Sequence, residues 1–472
     1  MRLPGLKTSP PMKVKCWVIA EPASDRPSLF EPLFANVAPK VRGGDDLHNV
    51  NGGSGTLLAI DFESLRALSP SALGALREQI KSGATCYVWG SLQADTQHSL
   101  EPLAPVSVRA QLEPQTASYL VVAKPPMPAV LQGETVIARS SVPVARGLSA
   151  IAQPLVLLRE SDGSKASPLF EIEQGKGVII CDLAGSNGNF PRRTALSALG
   201  LLENPDTRLS TLGRLVAFAR AAGQDTQRPV GCNIVIDDRP VSLDYLNVTA
   251  LGAFLEHLRS RCPDVHIDFG WTPDQTRPSH RYIKTLKRFK AGFVWHGLLH
   301  HIDHRTLTNP EQDFAQGQRL VKAISDRYQV RFQPVMVFPY EKDTNDCIEV
   351  LKREGFIAKA QLGDEATNAP APPATRPVRE VTKTTDQNSD GFVVLARDSI
   401  ENVTRDRMLA RAALGMPVIV AAHPRDAGLR RFARIRAHGI DPAFDQVLAF
   451  MAEKKLRHQS LEELAVAARV PE

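Results

Sequence analysis

The stretch Cys232-Asn-Ile-Val-Ile-Asp-Asp238 is a short apolar run that ends in two carboxylates, and six runs of the same kind follow it. They are VHIDFGW (265–271), GFVWHG (292–297), VRFQPVMVFP (330–339), GFIAKA (355–360), GFVVLAR (391–397) and MPVIVAAH (416–423). Helical patterns at 245–261, 277–290, 311–328, 344–354 and 401–414 separate most of them. Strands alternating with helices imply parallel crossovers, and this number of them fits a distorted (β/α)7 barrel better than a flat sheet. In such barrels function collects at the C-terminal ends of the strands. Asp237 and Asp238, His296 with His300, His301 and His304, Pro339 with Tyr340, and His423 all fall at or just after such ends. Residues 362–390, rich in Pro, Ala, Thr and Asp, interrupt the pattern and read as a mobile loop or lid.

Upstream the reading is coarser. Strand-like runs at 13–20, 56–61, 84–90, 118–124 and 175–185, with helices at 69–82 and 207–222, suggest an open α/β domain. The polar segment 223–229 is a linker. The expected organisation is therefore a disordered lead (1–11), an α/β domain (12–223) and a barrel (228–472). Two domains also suit a chain of 472 residues.

Composition narrows the classes of function. With 43% hydrophobic and 23% charged residues the chain reads as an ordinary globular protein. The net charge of +6 is small for the length. Clusters such as Lys284–Lys290 and Arg430–Arg436 read as solvated helix faces, and no nucleic-acid partner is expected. Six scattered cysteines without a CxxC pair read as buried thiols. No run of about 18 apolar residues predicts a membrane span, and the N-terminus lacks a signal-peptide pattern, so the expected location is cytoplasmic.

The residues at the strand ends have a shared chemistry. Where a strand turns out into a loop, one of two adjacent carboxylates can bind a metal while the other serves as a base. A His-x-x-x-His pair puts two imidazoles one helical turn apart, a common zinc-binding spacing. Two His and one carboxylate leave open positions, as a catalytic metal site requires. The spacing is met by His296/His300 and also by His300/His304; the first follows its strand directly.

In these parts and their order, residues 228–472 resemble the polysaccharide deacetylase (NodB-homology, carbohydrate esterase) family. The family's Thr-Phe-Asp-Asp-Gly motif is matched by Val235-Ile236-Asp237-Asp238-Arg239, and its His-Ser/Thr-x-x-His motif by His296–His300. Its Arg-x-Pro-Tyr/Phe motif is echoed by 338–356, and its Leu-x-Leu-x-His motif by Val418–His423 with one extra residue. The resemblance implies a metal-dependent hydrolase removing N-acetyl or O-acetyl groups from a sugar or polysaccharide. It implies one divalent metal ion, with zinc the expectation, on Asp238, His296 and His300. It makes Asp237 the general base, His423 the general acid and Tyr340 the oxyanion stabiliser. Pro339, Trp271 and Arg397 are the substrate-binding candidates. The chain departs from the family at Val337, which stands where an Arg would orient the base, at Arg239, and in a missing Asp-x-x-Asp-Trp motif, near which Arg397 and Asp398 lie. These departures keep two alternatives open: a glycan-binding pseudoenzyme, and a hydrolase of a small nonsugar amide. The N-terminal half resembles, more weakly, the flavodoxin/amidotransferase-like folds through 56–90 and 167–186. It shows no nucleophile elbow, Cys86 lying inside a strand, and reads as a noncatalytic domain for recognition, partner binding or self-association.

Overall fold

The computed structural model of the chain describes residues 15–19, 40–42, 47, 50, 53–90, 97–100, 103–104, 107–112, 118–122, 127–137, 142–146, 148, 150–158, 166–184, 202, 205–223, 229–237, 244–273, 279–297, 310–338, 345–362, 392–423 and 440–468. The 1–11 lead and all of the expected 362–390 loop except Leu362 lie outside them. The chain divides into two compact units, Met1–Arg228 and Pro229–Glu472. Among the described residues no helix is long and apolar enough to cross a membrane.

The first unit is built on one mixed sheet. Its elements are β1 (Lys15–Ile19), β2 (Lys40–Arg42), β3 (Thr56–Asp61), α1 (Phe62–Ala67), α2 (Pro70–Lys81), β4 (Thr85–Trp89), β5 (Gln97–Ser99), β6 (Ser107–Leu112), β7 (Ser118–Val121), β8 (Thr135–Ile137), β9 (Pro143–Arg146), β10 (Ala152–Leu158), β11 (Ala166–Gln174), β12 (Gly177–Asp182) and α3 (Pro205–Ala222). Strands β2-β1-β3-β4-β12 run parallel in that order. Beyond β12 the sheet continues antiparallel through β11, β10, β7 and β8, with β9, β6 and β5 branching from β11. This antiparallel wing departs from the expected purely open α/β sheet. Several of its strands are only three or four residues long, too short for an alternating pattern to stand out. Helix α3 is fixed to the sheet by buried polar groups. From the helix, Arg214 hydrogen-bonds Tyr87 of β4, whose Oη donates to Asp182 Oδ2 of β12 at 2.6 Å, and Arg220 Nη2 donates to Glu171 of β11 at 3.0 Å. Cys86 is buried within β4, and burial pushes its thiol up to about 12.

The second unit is a closed parallel barrel. Strands β13 (Gly231–Ile236), β14 (Ile267–Trp271), β15 (Gly292–Trp295), β16 (Phe332–Val337), β17 (Ala358–Leu362), β18 (Val393–Ser399) and β19 (Val418–Ala422) pair in sequence order. The last pairs with the first, giving a seven-stranded barrel. Helices α4 (Asp244–Arg261), α5 (His280–Arg288), α6 (Pro310–Tyr328), α7 (Asn345–Arg353), α8 (Arg405–Ala413) and α9 (Pro442–Glu453) form its outer layer. The two-residue strand β20 (Arg457–His458) pairs with Gly231 and Cys232 of β13, and α10 (Leu461–Ala468) ends the described chain.

Alternation along each strand sorts the barrel interior into layers. Val235, Val294, Val335, Leu395 and Ile419 belong to one buried cluster that fills the middle, joined by Leu461, Leu464 and Ala465 of α10. Helix α10 contacts β13, β16, β17 and β18, so it closes the N-terminal end of the barrel. One pleat nearer that end, Asn233, Asp268 and Gln333 make a polar floor. Asp268 accepts from the backbone N–H of Leu461 at 2.9 Å, and Gln333 accepts from that of Glu462 at 2.8 Å. Two barrel side chains therefore satisfy orphan donors at the start of α10, the usual task of a capping residue.

His266 bonds Asp268 from the rim of this floor at 3.2 Å. Burial draws the pKa of His266 down, but the hydrogen bond and charge of Asp268, with Glu463, outweigh it and leave the net value raised. A raised folded-state pKa means the pair stabilises below the unfolded His value of about 6.5, and that this stability is lost as pH rises through the folded value. His266→Gln should therefore lower the melting temperature more at pH 5.5 than at pH 8.5, read by differential scanning fluorimetry. An equal or larger loss at pH 8.5 would contradict this sign.

All six cysteines are free and buried, as the scattered spacing suggested. Cys232 and Cys262 flank the His458 ring, at 3.3 Å from Nδ1 and 3.0 Å from Nε2. Burial raises both thiols and lowers His458, which favours the uncharged form of each group.

Candidate active site

One pleat above the apolar middle layer, the inward positions turn polar. Asp237 follows Val235 by two residues, His296 follows Val294, Arg397 follows Leu395, and His423 follows Ile419 by four. Period-two geometry thus directs all four toward the C-terminal mouth. The ladder continues just past the strand ends: Asp237 N–H donates to Ala422 C=O at 2.8 Å, and His296 N–H to Trp271 C=O at 2.7 Å. Thr272 Oγ1 also donates to His296 C=O at 3.1 Å. Since Ile236 is paired with Ala422, His423 stands level with Asp237 on the neighbouring strand. Asp237 and His296 are buried, and His423 is half-buried.

Gly270 lies between two of these groups. A Cβ there would sit 3.2 Å from His296 Cβ and 3.5 Å from Asp237 Cα, so both are packed against a glycine that leaves them room. Gly270→Ala should fold, displace His296 by a few tenths of an ångström, and lower the melting temperature, since overpacking a filled site costs about 1–3 kcal/mol. Thermal unfolding beside a circular dichroism spectrum checks this; an unchanged melting temperature in the folded variant contradicts it.

The strongest feature of the mouth is an ion pair. Arg397 Nη1 donates to both oxygens of Asp237, at 2.7 Å to Oδ1 and 2.6 Å to Oδ2, with the Arg side chain fully buried. Its neighbour Asp398 faces the other side of β18, as alternation requires. There it accepts from Arg407 Nε at 2.6 Å, from Arg411 Nη2 at 2.9 Å and from Arg411 Nε, joining β18 to α8. One strand end thus carries a buried ion pair on each face.

This pair changes the setting of two residues named from the sequence. Val337 does stand on β16 without a charge, packed into the apolar interior, yet Asp237 is held by an Arg supplied from β18. Arg397 is therefore engaged with Asp237, where it was expected to bind substrate. Trp271 is also corrected. It is completely buried in the outer aromatic layer against Tyr282 and Phe293, with ring centroids 6.2 and 5.6 Å away, out of a substrate's reach. Asp238, His300, His304, Pro339 and Tyr340 lie outside the described residues. Among the described residues no group of three His, Cys, Asp or Glu could hold a metal ion, two of the three expected ligands being outside them. His296, the third, is buried and packed against Gly270, across which Asp237 lies.

The role of Arg397 was missed in the sequence, although a signal existed. Leu395 is an inward residue in an apolar run, and the residue two further on must share its face. Only closure of the barrel shows that this face meets Asp237.

No family model matches the chain, and no curated protein does. Solved structures do. The chain is similar to family 4 carbohydrate esterases. The enzyme of that family from Streptomyces lividans, in complex with acetate, shares 9% identity over 51% of this chain and 97% of its own, with a TM-score of 0.32. The chitin deacetylase of the fungal pathogen Colletotrichum lindemuthianum shares 11% over 50% of this chain and 88% of its own, TM-score 0.29. A pseudoenzyme of the same family from Bacillus anthracis, BA3943, shares 11% over 50% of this chain and 66% of its own, TM-score 0.30.

Proposed function

We propose that residues 229–472 form a metal-dependent hydrolase of the polysaccharide deacetylase type, cleaving the carbon–nitrogen bond of an N-acetyl group, or an O-acetyl ester, on a sugar or polysaccharide. The observation that carries this reading is the carboxylate of Asp237, fixed at the barrel mouth level with His423 and beside His296. A general base needs a carboxylate aimed at one place, and a general acid must stand close enough to serve the leaving group. Asp237 would take the proton from an attacking water, and His423 would deliver one to the departing amine or alcohol. Asp238, His296 and His300 would hold one divalent ion, zinc by expectation. Lewis-acid polarisation of the acetyl carbonyl is the chemistry that ion would supply when bound. Tyr340 would stabilise the developing oxyanion and Pro339 would line the acetyl group's approach. The first unit is proposed to be noncatalytic, serving recognition or assembly.

The test is metal analysis and acetate release by the full chain, using penta-N-acetylchitopentaose and acetylated xylan as probes. Stoichiometric divalent metal and acetate from either probe are expected. Protein with neither bound metal nor metal-restored activity rules the reading out. Metal and glycan binding without acetate would instead identify a binding protein. Acetate from small N-acetyl amides alone would point to a nonsugar substrate.

A further inference from the structure

We infer that Arg397 is the positioning residue for Asp237, and that β18 is built to hold it still. This rests on the hydrolase reading above. A single guanidinium nitrogen lies within hydrogen-bond distance of both carboxylate oxygens of Asp237, which anchors the head of that side chain at the mouth. Burying such a pair is rarely favourable for stability alone, because desolvation offsets much of the attraction. Its value here is geometric. The next residue, Asp398, is clamped from the opposite face by Arg407 and Arg411. Alternating Arg397 and Asp398 thus gives one strand end two functions: the outward carboxylate anchors the backbone to α8, and the inward guanidinium aims Asp237. Val337, on the same interior face, leaves this task to β18.

The experiment compares full-chain wild type, Arg397→Ala and Arg397→Lys, all loaded with Zn2+, on penta-N-acetylchitopentaose, with circular dichroism and metal content as controls. Arg397→Ala should lower kcat about 100-fold while KM stays within about threefold, the pattern of a lost alignment. Added methylguanidinium should recover at least about tenfold of that loss, and Arg397→Lys should retain more activity than Arg397→Ala. A folded, metal-loaded Arg397→Ala with wild-type kcat overturns the inference, as does a raised KM with kcat unchanged, which would make Arg397 a substrate ligand. Should Arg397→Ala not fold, Arg397→Lys decides: a lowered kcat at constant KM supports positioning, and a wild-type kcat overturns it. A wild type that releases no acetate overturns the hydrolase reading first, and this inference with it.

Discussion

Asp268→Ala is expected to lower the melting temperature of the barrel unit by on the order of 10 °C, a loss of about 3–5 kcal/mol. The carboxylate is completely buried and accepts from four donors: Asn233 Nδ2 at 3.0 Å, Gln333 Nε2 at 2.5 Å, Leu461 N–H at 2.9 Å and His266 Nε2 at 3.2 Å. Removing it leaves buried amide donors without an acceptor, each costing about 1–3 kcal/mol. It also frees the start of α10, whose Leu461, Leu464 and Ala465 complete the apolar interior. Gly292→Ala should act through the same floor. Its Cβ would fall 1.7 Å from Asp268 Oδ1 and 2.4 Å from Gln333 Nε2, which no rotamer change at position 292 could relieve. Calorimetry on both variants checks this. A melting transition unchanged in Asp268→Ala would show that the floor does not hold the barrel.

Asp237→Asn is expected to reduce acetate release by at least about 1000-fold, because an amide cannot accept the proton that the proposed base must take. The same change leaves the guanidinium of Arg397 facing a neutral group in a buried site, so a stability loss of about 2–4 kcal/mol should accompany it. The two effects separate by method. Acetate release measured well below the lowered melting temperature reports the chemistry, and thermal unfolding reports the pair. Undiminished release by Asp237→Asn would remove Asp237 as the base, whatever happened to stability.

Much of the barrel was legible in the sequence. Each apolar run of the second half became a strand, because short, nearly continuous apolar runs set between helical patterns suit strands buried on both faces of a parallel sheet. Asp237, His296 and His423 were legible for a related reason: a polar residue at the end of such a run is already at the functional end of a parallel barrel. Trp271 misled by the same rule. It also ends a strand, but its parity turns it outward, into the aromatic layer with Tyr282 and Phe293. The antiparallel wing of the first unit was not legible, since its short strands carry little periodicity and depend on pairing partners far along the chain.

By itself the sequence determined the alternating elements, the order of the strands and the polar residues that crown them, because local periodicity and strand parity are properties of neighbouring residues. Only the tertiary structure decided what those crowns do to one another. Asp237 and Arg397 are separated by 160 positions, and closing the ring of strands is what brings them within hydrogen-bond distance. The loss of a charge at Val337 looked in the sequence like the loss of an aimed carboxylate. Closure shows the charge supplied from another wall of the same barrel, since every inward position near the mouth faces the same small space.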